Sequence, residues 1–318
     1  MPISSPAAST EEIEQATALL QAGHLVAFPT ETVYGLGADA TNPEAVATIF
    51  EAKGRPKFNP LIIHVHNFDA AEPIIQTNKL AQKLAEAFWP GPLTLVLPRT
   101  QECRVCHLAG AGLDTLAVRV PAHPIAQKLL AATTFPIAAP SANKSGKVSP
   151  TTAEHVLEDF GDQIPKILNG GPCKVGVEST VVDVTAPQKP MILRQGGVPV
   201  EDIEAICGPL ETLSLNETNP GSPGMMLKHY ATNAPLKLNA EKASTNEALL
   251  AFGPYSEPTN KMVLNLSQQA NLKEAAANLF DMMRNLDKMK PAAIAVMQIP
   301  ESGLGAAIND RLRRAAKR

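Results

Sequence analysis

Short apolar segments of strand type alternate with segments of helix type along most of the chain, and this alternation restricts the possible folds. Buried strands are predicted at LVAFPT (25–30), LIIHV (61–65) and LTLVLP (93–98), which are short, apolar and bounded by turn residues. The intervening segment 43–53 repeats its apolar residues at helical spacing. An α/β protein with helices packed on a sheet is therefore expected.

Other elements follow from the same periodicities and from end signals. The first helix is predicted to begin at a capping box of Ser9 and Glu12 and to end near Gly23. Gly35-Leu36-Gly37 lacks the third glycine of a dinucleotide-binding fingerprint and is interpreted as a turn after a strand. Further strands are predicted at 116–121, 136–141, 167–171, 179–185 and 191–196, and further helices at 80–88, 125–132, 151–160 (capped by Thr151) and 200–206.

Residues 208–235 interrupt this alternation with a segment rich in Gly, Pro, Asn, Ser and Thr, which is typical of a linker. A chain of 318 residues also favours two domains over one core. The predicted domains are 1–207 and 236–318. The second has strands near 236–239, 248–252, 262–266 and 292–299 and helices at 270–288 and 304–316, an order that favours a small, mostly parallel sheet.

The charge and composition argue against a nucleic-acid-binding surface. The net charge is −3, the pI is about 6.2, and aromatic residues make up 4% of the chain. The basic residues near the end of the chain are interpreted as a solvated helix terminus, in which cations suit the helix dipole: Arg311, Arg313, Arg314, Lys317 and Arg318.

The N-terminal sequence and the cysteines favour a reducing cytoplasm. No secretory signal and no apolar run of transmembrane length is found, so no membrane partner is expected. Cys103-Arg104-Val105-Cys106-His107 has the spacing of a c-type haem attachment site, but such attachment occurs outside the cytoplasm. A zinc site would require a second ligand pair, and Cys173 and Cys207 are isolated.

Two residue pairs are candidates for anion binding. Lys53 and Arg55 flank Gly54 just before a proline, so both cations can project to one side and bind phosphate oxygens. Ser141 and Asn143 follow a predicted buried strand, where loops and helix N-termini bind anions. The alternatives are a solvated helix end for the first pair and ordinary turn chemistry for the second.

A third candidate is the segment after 176. Ser179 and Thr180 offer hydroxyls at the start of a strand, and Arg194 lies within an otherwise apolar strand, where a cation requires a partner. An ion pair with Glu178 or Asp183 is the competing interpretation of Arg194. Together, the three candidates predict a polar, cationic pocket for an anionic ligand, without the phosphate-binding loop of P-loop enzymes.

These stretches resemble the YrdC-type family, specifically the long form of threonylcarbamoyl-AMP synthase. The resemblance is carried by PTETVYGLG, KGRP, NPLIIHV, GPLTLVL, AVRVP, APSAN, GVESTVVD, LRQGG and, in the predicted linker, SPGMMLKHYAT. It implies a twisted, mixed-sheet α/β domain with an open cavity and a smaller Rossmann-like domain. It also implies condensation of L-threonine, bicarbonate and ATP, with magnesium, to threonylcarbamoyl-AMP and pyrophosphate. A downstream threonylcarbamoyl-transferase complex then uses the product to modify tRNA.

The resemblance also assigns roles to residues. The implied nucleotide residues are Lys53, Arg55, Asn59, Thr115, Asn143, Thr151, Arg194 and Tyr230, the first two being catalytic and Tyr230 a lid residue in the linker. The implied threonine residues are Thr32, His64, Arg119, Ser141, Ser179 and Thr180, although His64 also fits a core histidine. The rival functions are a carbamoyl-phosphate-using maturation-type enzyme and a non-enzymatic RNA-binding module of the same fold.

Overall fold

The computed structural model describes residues 8–212, 229–255 and 262–317, which form two sheets with helices packed on them. The first sheet has ten strands in the order β10-β9-β8-β4-β5-β3-β6-β2-β1-β7. These strands are β1 (Val26–Phe28), β2 (Gly35–Asp39), β3 (Ile62–His64), β4 (Leu93–Pro98), β5 (Thr115–Arg119), β6 (Ile137–Ala138), β7 (Lys166–Ile167), β8 (Thr180–Asp183), β9 (Met191–Arg194) and β10 (Glu211–Thr212).

The first sheet is mixed. Strand β5 pairs parallel with β3 and antiparallel with β4, and β4 pairs parallel with β8. The helices of this part of the chain are α1 (Thr10–Gln21), α2 (Pro43–Lys53), α3 (Lys79–Phe88), α4 (Pro124–Ala132), α5 (Ala153–Phe160) and α6 (Val200–Cys207). The mixed α/β architecture confirms the predicted fold class.

The second sheet is small and entirely parallel, in the order β11-β14-β12-β13. Its elements are β11 (Leu236–Lys237), β12 (Ala248–Ala251), β13 (Val263–Asn265), α7 (Leu272–Lys288), β14 (Ile294–Val296) and α8 (Leu304–Ala316). Most of the predicted linker, residues 213–228, lies outside the described residues. Within its described part, β10 extends the first sheet by pairing with β9. In the parts of the chain that the structure covers, no helix has both the length and the apolar character to cross a bilayer.

Two predicted helix starts, those of α1 and α5, can be compared with the structure. Ser9 and Glu12 form the predicted reciprocal capping box of α1. The predicted cap of α5 was one residue early, because Thr152 rather than Thr151 accepts the backbone N–H of His155. Thr151 is buried, and its hydroxyl has no hydrogen-bond partner.

The interpretation of Gly35-Leu36-Gly37 as a turn is wrong. These residues begin β2, which pairs antiparallel with β1 through Phe28 and Gly35. The glycine at 37 allows close packing, since a Cβ atom there would lie 2.8 Å from the Phe28 ring and 2.9 Å from Ile137. A glycine-rich strand can thus be mistaken for a turn when its glycines serve packing rather than backbone conformation.

The two sheets share a hydrophobic core. Val33, Val148 and Val177 of the first part of the chain pack with residues of the second, including Phe280 of α7. Gly176 lies against the α7 backbone, where a Cβ atom would be 2.3 Å from the Ala276 carbonyl oxygen. Helix α7 is therefore seated directly on the segment that leads into β8.

Candidate active site

A cavity lies where strands of the first sheet end. Side chains from separate elements meet there, which is the usual position of ligand sites in α/β proteins. The polar side chains on its walls are Thr30, Thr32, Arg55, His64, Arg119, Ser141, Glu178, Ser179, Arg194, His229 and Tyr230. Many of the predicted site residues are therefore brought together.

One wall of the cavity is organised around Arg119, the last residue of β5. Its guanidinium donates to Glu31 Oε1 at 2.5 Å, to Thr32 Oγ1 at 2.9 Å and to the Gly91 carbonyl at 3.1 Å. Glu31 also accepts the backbone N–H of Ala122. Arg119 is buried and held in one orientation, as required of a group that binds a ligand carboxylate bidentately. Glu31 is a residue that the sequence did not single out.

His64 faces the cavity beside Arg119. Burial, followed by the charge of Arg119, lowers the pKa of His64 to about 3, so its imidazole is neutral at physiological pH. The ring lies edge-to-face on Phe28, with centroids 6.0 Å apart, and the Nδ1 atom has no hydrogen-bond partner. The structure therefore combines the two predicted interpretations: His64 packs in the core and also presents a neutral ring to the cavity.

Another part of the cavity wall carries two arginines. Arg55 donates to the carbonyls of Asn59 and Pro60 at 3.3 and 3.0 Å. Burial, followed by repulsion from Arg194, lowers the pKa of Arg55 to about 10. Arg194 donates to the carbonyl and the hydroxyl of Ser179, with distances of 2.9 and 3.1 Å from Nη2. Two guanidinium groups that repel each other concentrate positive charge at this part of the cavity, which favours an anionic ligand.

Lys53 is buried but does not line the cavity. Its ammonium donates to the carbonyls of Ser141, at 2.6 Å, and Asn143. Burial, followed by repulsion from Arg55, lowers the pKa of Lys53 well below its ordinary value. The predicted projection of Lys53 and Arg55 to one side is thus only partly observed, because Lys53 holds the turn after β6 and Arg55 faces the cavity.

The turn that Lys53 holds presents Ser141 to the cavity. Ser141 donates to Asn143 Oδ1 at 2.6 Å, and the Asn143 amide donates to the carbonyls of Lys144 and Lys147. Asn143 is therefore buried within the turn rather than among the lining residues. The pair thus shows the ordinary turn chemistry that was one alternative, and Ser141 alone of the two also faces the cavity.

The hydroxyls of Ser179 and Thr180 face different surroundings. Ser179 lines the cavity and shares a hydrogen bond of 2.7 Å with Thr94. Thr180 is fully buried and donates to the Val198 carbonyl at 2.6 Å, so it fixes the backbone beyond β9. Their opposite orientation follows from the alternation of side chains along a strand.

Glu178 is the carboxylate on the cavity wall, and its ion-pair partner comes from the second sheet's side of the molecule. Arg311 of α8 donates from Nε to Glu178 Oε2 at 3.0 Å, and Ser149 donates to Oε1 at 2.6 Å. Burial alone would raise the pKa of Glu178, but Arg311 and Arg194 outweigh it and lower the pKa to about 2. The carboxylate is therefore charged.

The interpretation of the C-terminal basic residues as solvated is wrong for Arg311, which is 0% exposed. Its position within α8 carried a usable signal. The buried face of the helix repeats at intervals of three and four residues, and Arg311 occupies one of these apolar positions between Ile308 and Leu312. A cation at such a position requires a buried partner, here Glu178.

His229 and Tyr230 line the cavity from the described end of the predicted linker. Tyr230 stacks on Phe280 with centroids 5.2 Å apart, and the Arg311 guanidinium lies 5.9 Å from its ring centre. Burial, followed by repulsion from Glu178, raises the pKa of Tyr230, and burial lowers the pKa of His229 to about 3. The sequence predicted Tyr230 but not His229.

Three predicted nucleotide residues, besides Lys53 and Asn143, lie outside the cavity lining. Thr115 begins β5, and the strand rise places it about 13 Å from Arg119 at the other end. Asn59 and Thr151 are buried, and Asn59 Oδ1 and the Thr151 hydroxyl each lack a hydrogen-bond partner. Within the described residues, no group of three or more His, Cys, Asp or Glu side chains is arranged to hold a metal ion.

The ten-stranded mixed sheet with its cationic cavity, joined to a smaller parallel-sheet domain, defines a two-domain α/β protein with the YrdC-type fold. The family profile Sua5_yciO_yrdC, described as telomere recombination, matches residues 18–196. The profile Sua5_C, described as the C-terminal domain of threonylcarbamoyl-AMP synthase, matches residues 198–317. The chain belongs to the threonylcarbamoyl-AMP synthase family.

Individual relatives agree over nearly the whole length. The chain is 42% identical to the threonylcarbamoyl-AMP synthase of Bacillus subtilis, over 96% of this chain and 93% of that protein. It is also 42% identical to the Pyrococcus abyssi enzyme of the same name, over 96% and 94%. The crystal structure of P. abyssi Sua5 complexed with L-threonine matches 99% of this chain and 97% of that one, with 40% identity and a TM-score of 0.91.

Proposed function

We propose that the protein condenses L-threonine, bicarbonate and ATP to threonylcarbamoyl-AMP and pyrophosphate. The observation that carries this proposal is that one cavity is lined both by Arg119, held by Glu31 and Thr32, and by the mutually repelling pair Arg55 and Arg194. A reaction that joins an amino acid to a nucleotide requires separate recognition of a carboxylate and of phosphates in one enclosed space.

The Arg119 wall is the proposed threonine site. Its guanidinium would bind the substrate carboxylate, oriented by Glu31 and Thr32. His64 stays neutral there, so it can accept or donate a hydrogen bond without adding charge. The hydroxyls of Ser141 and Ser179 are proposed to bind the polar groups of threonine, whereas Thr180 supports the site through the backbone.

The Arg55–Arg194 wall is the proposed nucleotide site. An arriving triphosphate would relieve the repulsion between the two guanidinium groups and gain charge-assisted hydrogen bonds from both. Lys53 and Asn143 are proposed to shape this side by fixing the turn that contains Ser141. Direct contact of Lys53 with a phosphate would require its ammonium to exchange a carbonyl for a phosphate oxygen. Asn59, Thr115 and Thr151 are proposed as outer residues of the same side.

The proposed chemistry requires no covalent nucleophile. The threonine amine adds to bicarbonate to give a carbamate and water. A carbamate oxygen then attacks the α-phosphate of ATP, and pyrophosphate leaves. Negative charge grows on phosphoryl oxygens during this step, and prepositioned cations such as Arg55 and Arg194 stabilise it.

Magnesium is proposed to enter with the nucleotide. When bound, the ion neutralises phosphate charge. Magnesium prefers oxygen ligands and keeps several of them from water and substrate phosphates. The hydroxyls of Thr32, Ser141 and Ser179 and the charged carboxylate of Glu178 give the cavity oxygen atoms of that type.

The arrangement of domains and the use of the product are also proposals. Residues 1–207 would be the catalytic domain, 208–235 the linker and 236–318 the second domain, with Tyr230 covering the nucleotide side.

The product would pass in the cytoplasm to a threonylcarbamoyl-transferase complex, which transfers its threonylcarbamoyl group to tRNA. The acyl-phosphate anhydride of such a product is hydrolytically labile, so a consuming reaction must follow.

One assay tests the reaction and separates it from the rival functions. The protein is incubated with ATP, L-threonine and bicarbonate, and pyrophosphate release is measured. We expect release that depends on both threonine and bicarbonate. Release that occurs only with carbamoyl phosphate would favour a maturation-type enzyme, and the absence of any release would contradict the proposed function.

A further inference from the structure

Arg311 contacts two segments that carry cavity residues. Its Nε donates to Glu178 Oε2 at 3.0 Å, and its Nη1 donates to the Gln195 carbonyl. Glu178 immediately precedes Ser179, and Gln195 immediately follows Arg194. One guanidinium group of α8 is therefore bonded to the neighbours of two groups that line the cavity.

These contacts bear on the position of Arg194. The Arg194 guanidinium is bonded to the carbonyl and hydroxyl of Ser179, across the pair formed by β8 and β9. That pair contains a register irregularity between Val181 and Val182, close to these residues. A shift between the two strand ends would move the Arg194 guanidinium, and the bonds of Arg311 to both segments oppose such a shift.

The surroundings of the Arg311 side chain allow it to oppose a shift between the two strand ends. It is completely buried, and its guanidinium lies over the ring of Tyr230, a residue of the shared core. Glu178 is fixed from its other oxygen by Ser149, so the contact is a buried, hydrogen-bonded ion pair rather than a surface one. Removing one partner of such a pair has a larger effect than removing an exposed charge.

We propose that Arg311 is a positioning residue for the nucleotide side of the cavity, acting through the Glu178–Ser179 and Arg194–Gln195 segments. The second domain would thereby supply a part of the nucleotide site without contacting the substrate. This proposal rests on the proposed function for the identity of the ligand. Arg311 does not belong to any of the sequence motifs that predicted site residues.

Arg284 of α7 provides a matched control. It is also a largely buried arginine that joins the two parts of the chain, and it donates to both carboxylate oxygens of Asp159, at 3.1 and 2.7 Å, and to the Val148 carbonyl. Neither Asp159 nor Val148 lines the cavity. Val148 precedes Ser149, which donates to Glu178, but both bonds of Arg311 remain when Arg284 is lost. Loss of Arg284 should therefore weaken the attachment of α7 while the strand ends that carry Ser179 and Arg194 stay held.

The experiment compares Arg311→Met and Arg284→Met in the full-length protein by steady-state kinetics. For Arg311→Met we expect the KM for ATP to rise at least about tenfold, because a charged, buried contact is lost. The KM for L-threonine should rise less than the KM for ATP, since Arg119 and Thr32 lie on other elements and Ser179 is the threonine-site residue on a segment that Arg311 holds. For Arg284→Met both values should stay within about threefold of wild type. An equal rise of the ATP KM in both variants, or none in Arg311→Met, would overturn the proposal.

Two further measurements keep the outcome interpretable. Arg311→Lys retains the charge and can reach one of the two acceptors, so its ATP KM should lie between those of wild type and Arg311→Met. If the ATP KM of Arg311→Lys equals that of wild type, the proposal that Arg311 must hold both segments is overturned. The affinity for a non-hydrolysable ATP analogue, measured by calorimetry, should decrease in the same order, from wild type through Arg311→Lys to Arg311→Met. If wild type binds this analogue but releases no pyrophosphate with threonine, the proposed reaction fails while the role of Arg311 stands.

Discussion

Glu31 and Arg119 form a buried ion pair, with Oε1 and Nη2 2.5 Å apart, on the wall of the cavity. The pair joins the segment after β1 to the end of β5, two elements 88 residues apart in the chain. It fixes the guanidinium that we propose for the substrate carboxylate, so Glu31 is proposed to orient the threonine site without being the binding group itself.

Glu31→Gln should raise the KM for L-threonine about tenfold and lower the free energy of unfolding by about 1–3 kcal/mol, since glutamine preserves the shape but not the charge. The KM for ATP should change by less than about threefold. Kinetics with each substrate varied in turn, together with urea unfolding, measure these effects. Glu72→Gln, at an exposed carboxylate, is the control. Equal changes in both KM values would contradict the assignment of Glu31 to the threonine wall.

Arg55→Ala should lower kcat/KM for ATP about a hundredfold, because a guanidinium group is removed from the site of developing phosphate charge. Lys53→Ala should lower it by more than about threefold, through disorder of the turn that presents Ser141. Lys57→Ala, two residues beyond Arg55 and exposed, should be indistinguishable from wild type. Activity within about threefold of wild type in both site variants would show the phosphate assignment to be wrong.

His64 should make stability depend on pH. Its pKa of about 3 in the folded state lies below the ordinary value of about 6.5, so the unfolded state binds an extra proton between these values. Stability is therefore lost as the pH falls from 6.5 towards 3. When the pH is lowered from 7 to 5, the free energy of unfolding of wild type should fall by roughly 2 kcal/mol more than that of His64→Gln. Urea titrations at both pH values test this, with His24→Gln as an exposed control, and parallel pH dependence of all three proteins would contradict it.

Gly37→Ala should lower the free energy of unfolding by about 1–3 kcal/mol, because the added methyl group would collide with the Phe28 ring and with Ile137. Thermal unfolding of the variant measures the loss. The double variant Gly37→Ala with Phe28→Leu should be less unstable than the sum of the single changes predicts, since the smaller side chain makes room. Additive losses would indicate that the ring is not the obstacle.

Elements whose signal is local were predicted well from the sequence. Strand β4 and helix α8 have the predicted limits, 93–98 and 304–316, because periodicity and end signals are contained within each segment. His64, Arg119 and Arg194 reached the cavity as expected because each ends a strand, and strand ends meet at one edge of a sheet. Arg55 reaches it from the turn after α2. Contacts between distant segments were not predictable in this way. The bond of Arg311 to Glu178 spans 133 residues, and that of Lys53 to Asn143 spans 90.

The wrong predictions have the same cause, since they depend on contacts between distant segments. Gly35 and Gly37 carry no local sign that their role is to admit the Phe28 ring, so a strand was interpreted as a turn. The direction of a side chain at a strand end also depends on register, which separates Ser179 from Thr180 and places Thr115 at the far end of β5. Residue type and spacing predicted the chemistry of the site, whereas tertiary pairing determined which of these residues face it.

The core shared by Val33, Val148 and Val177 with α7 has a thermodynamic consequence. Neither part of the chain can bury these valines alone, so separation of the two would expose apolar surface at a cost to both. The molecule should therefore lose its structure in a single cooperative transition, and a ligand bound in the cavity should protect the second sheet from amide exchange as well as the first.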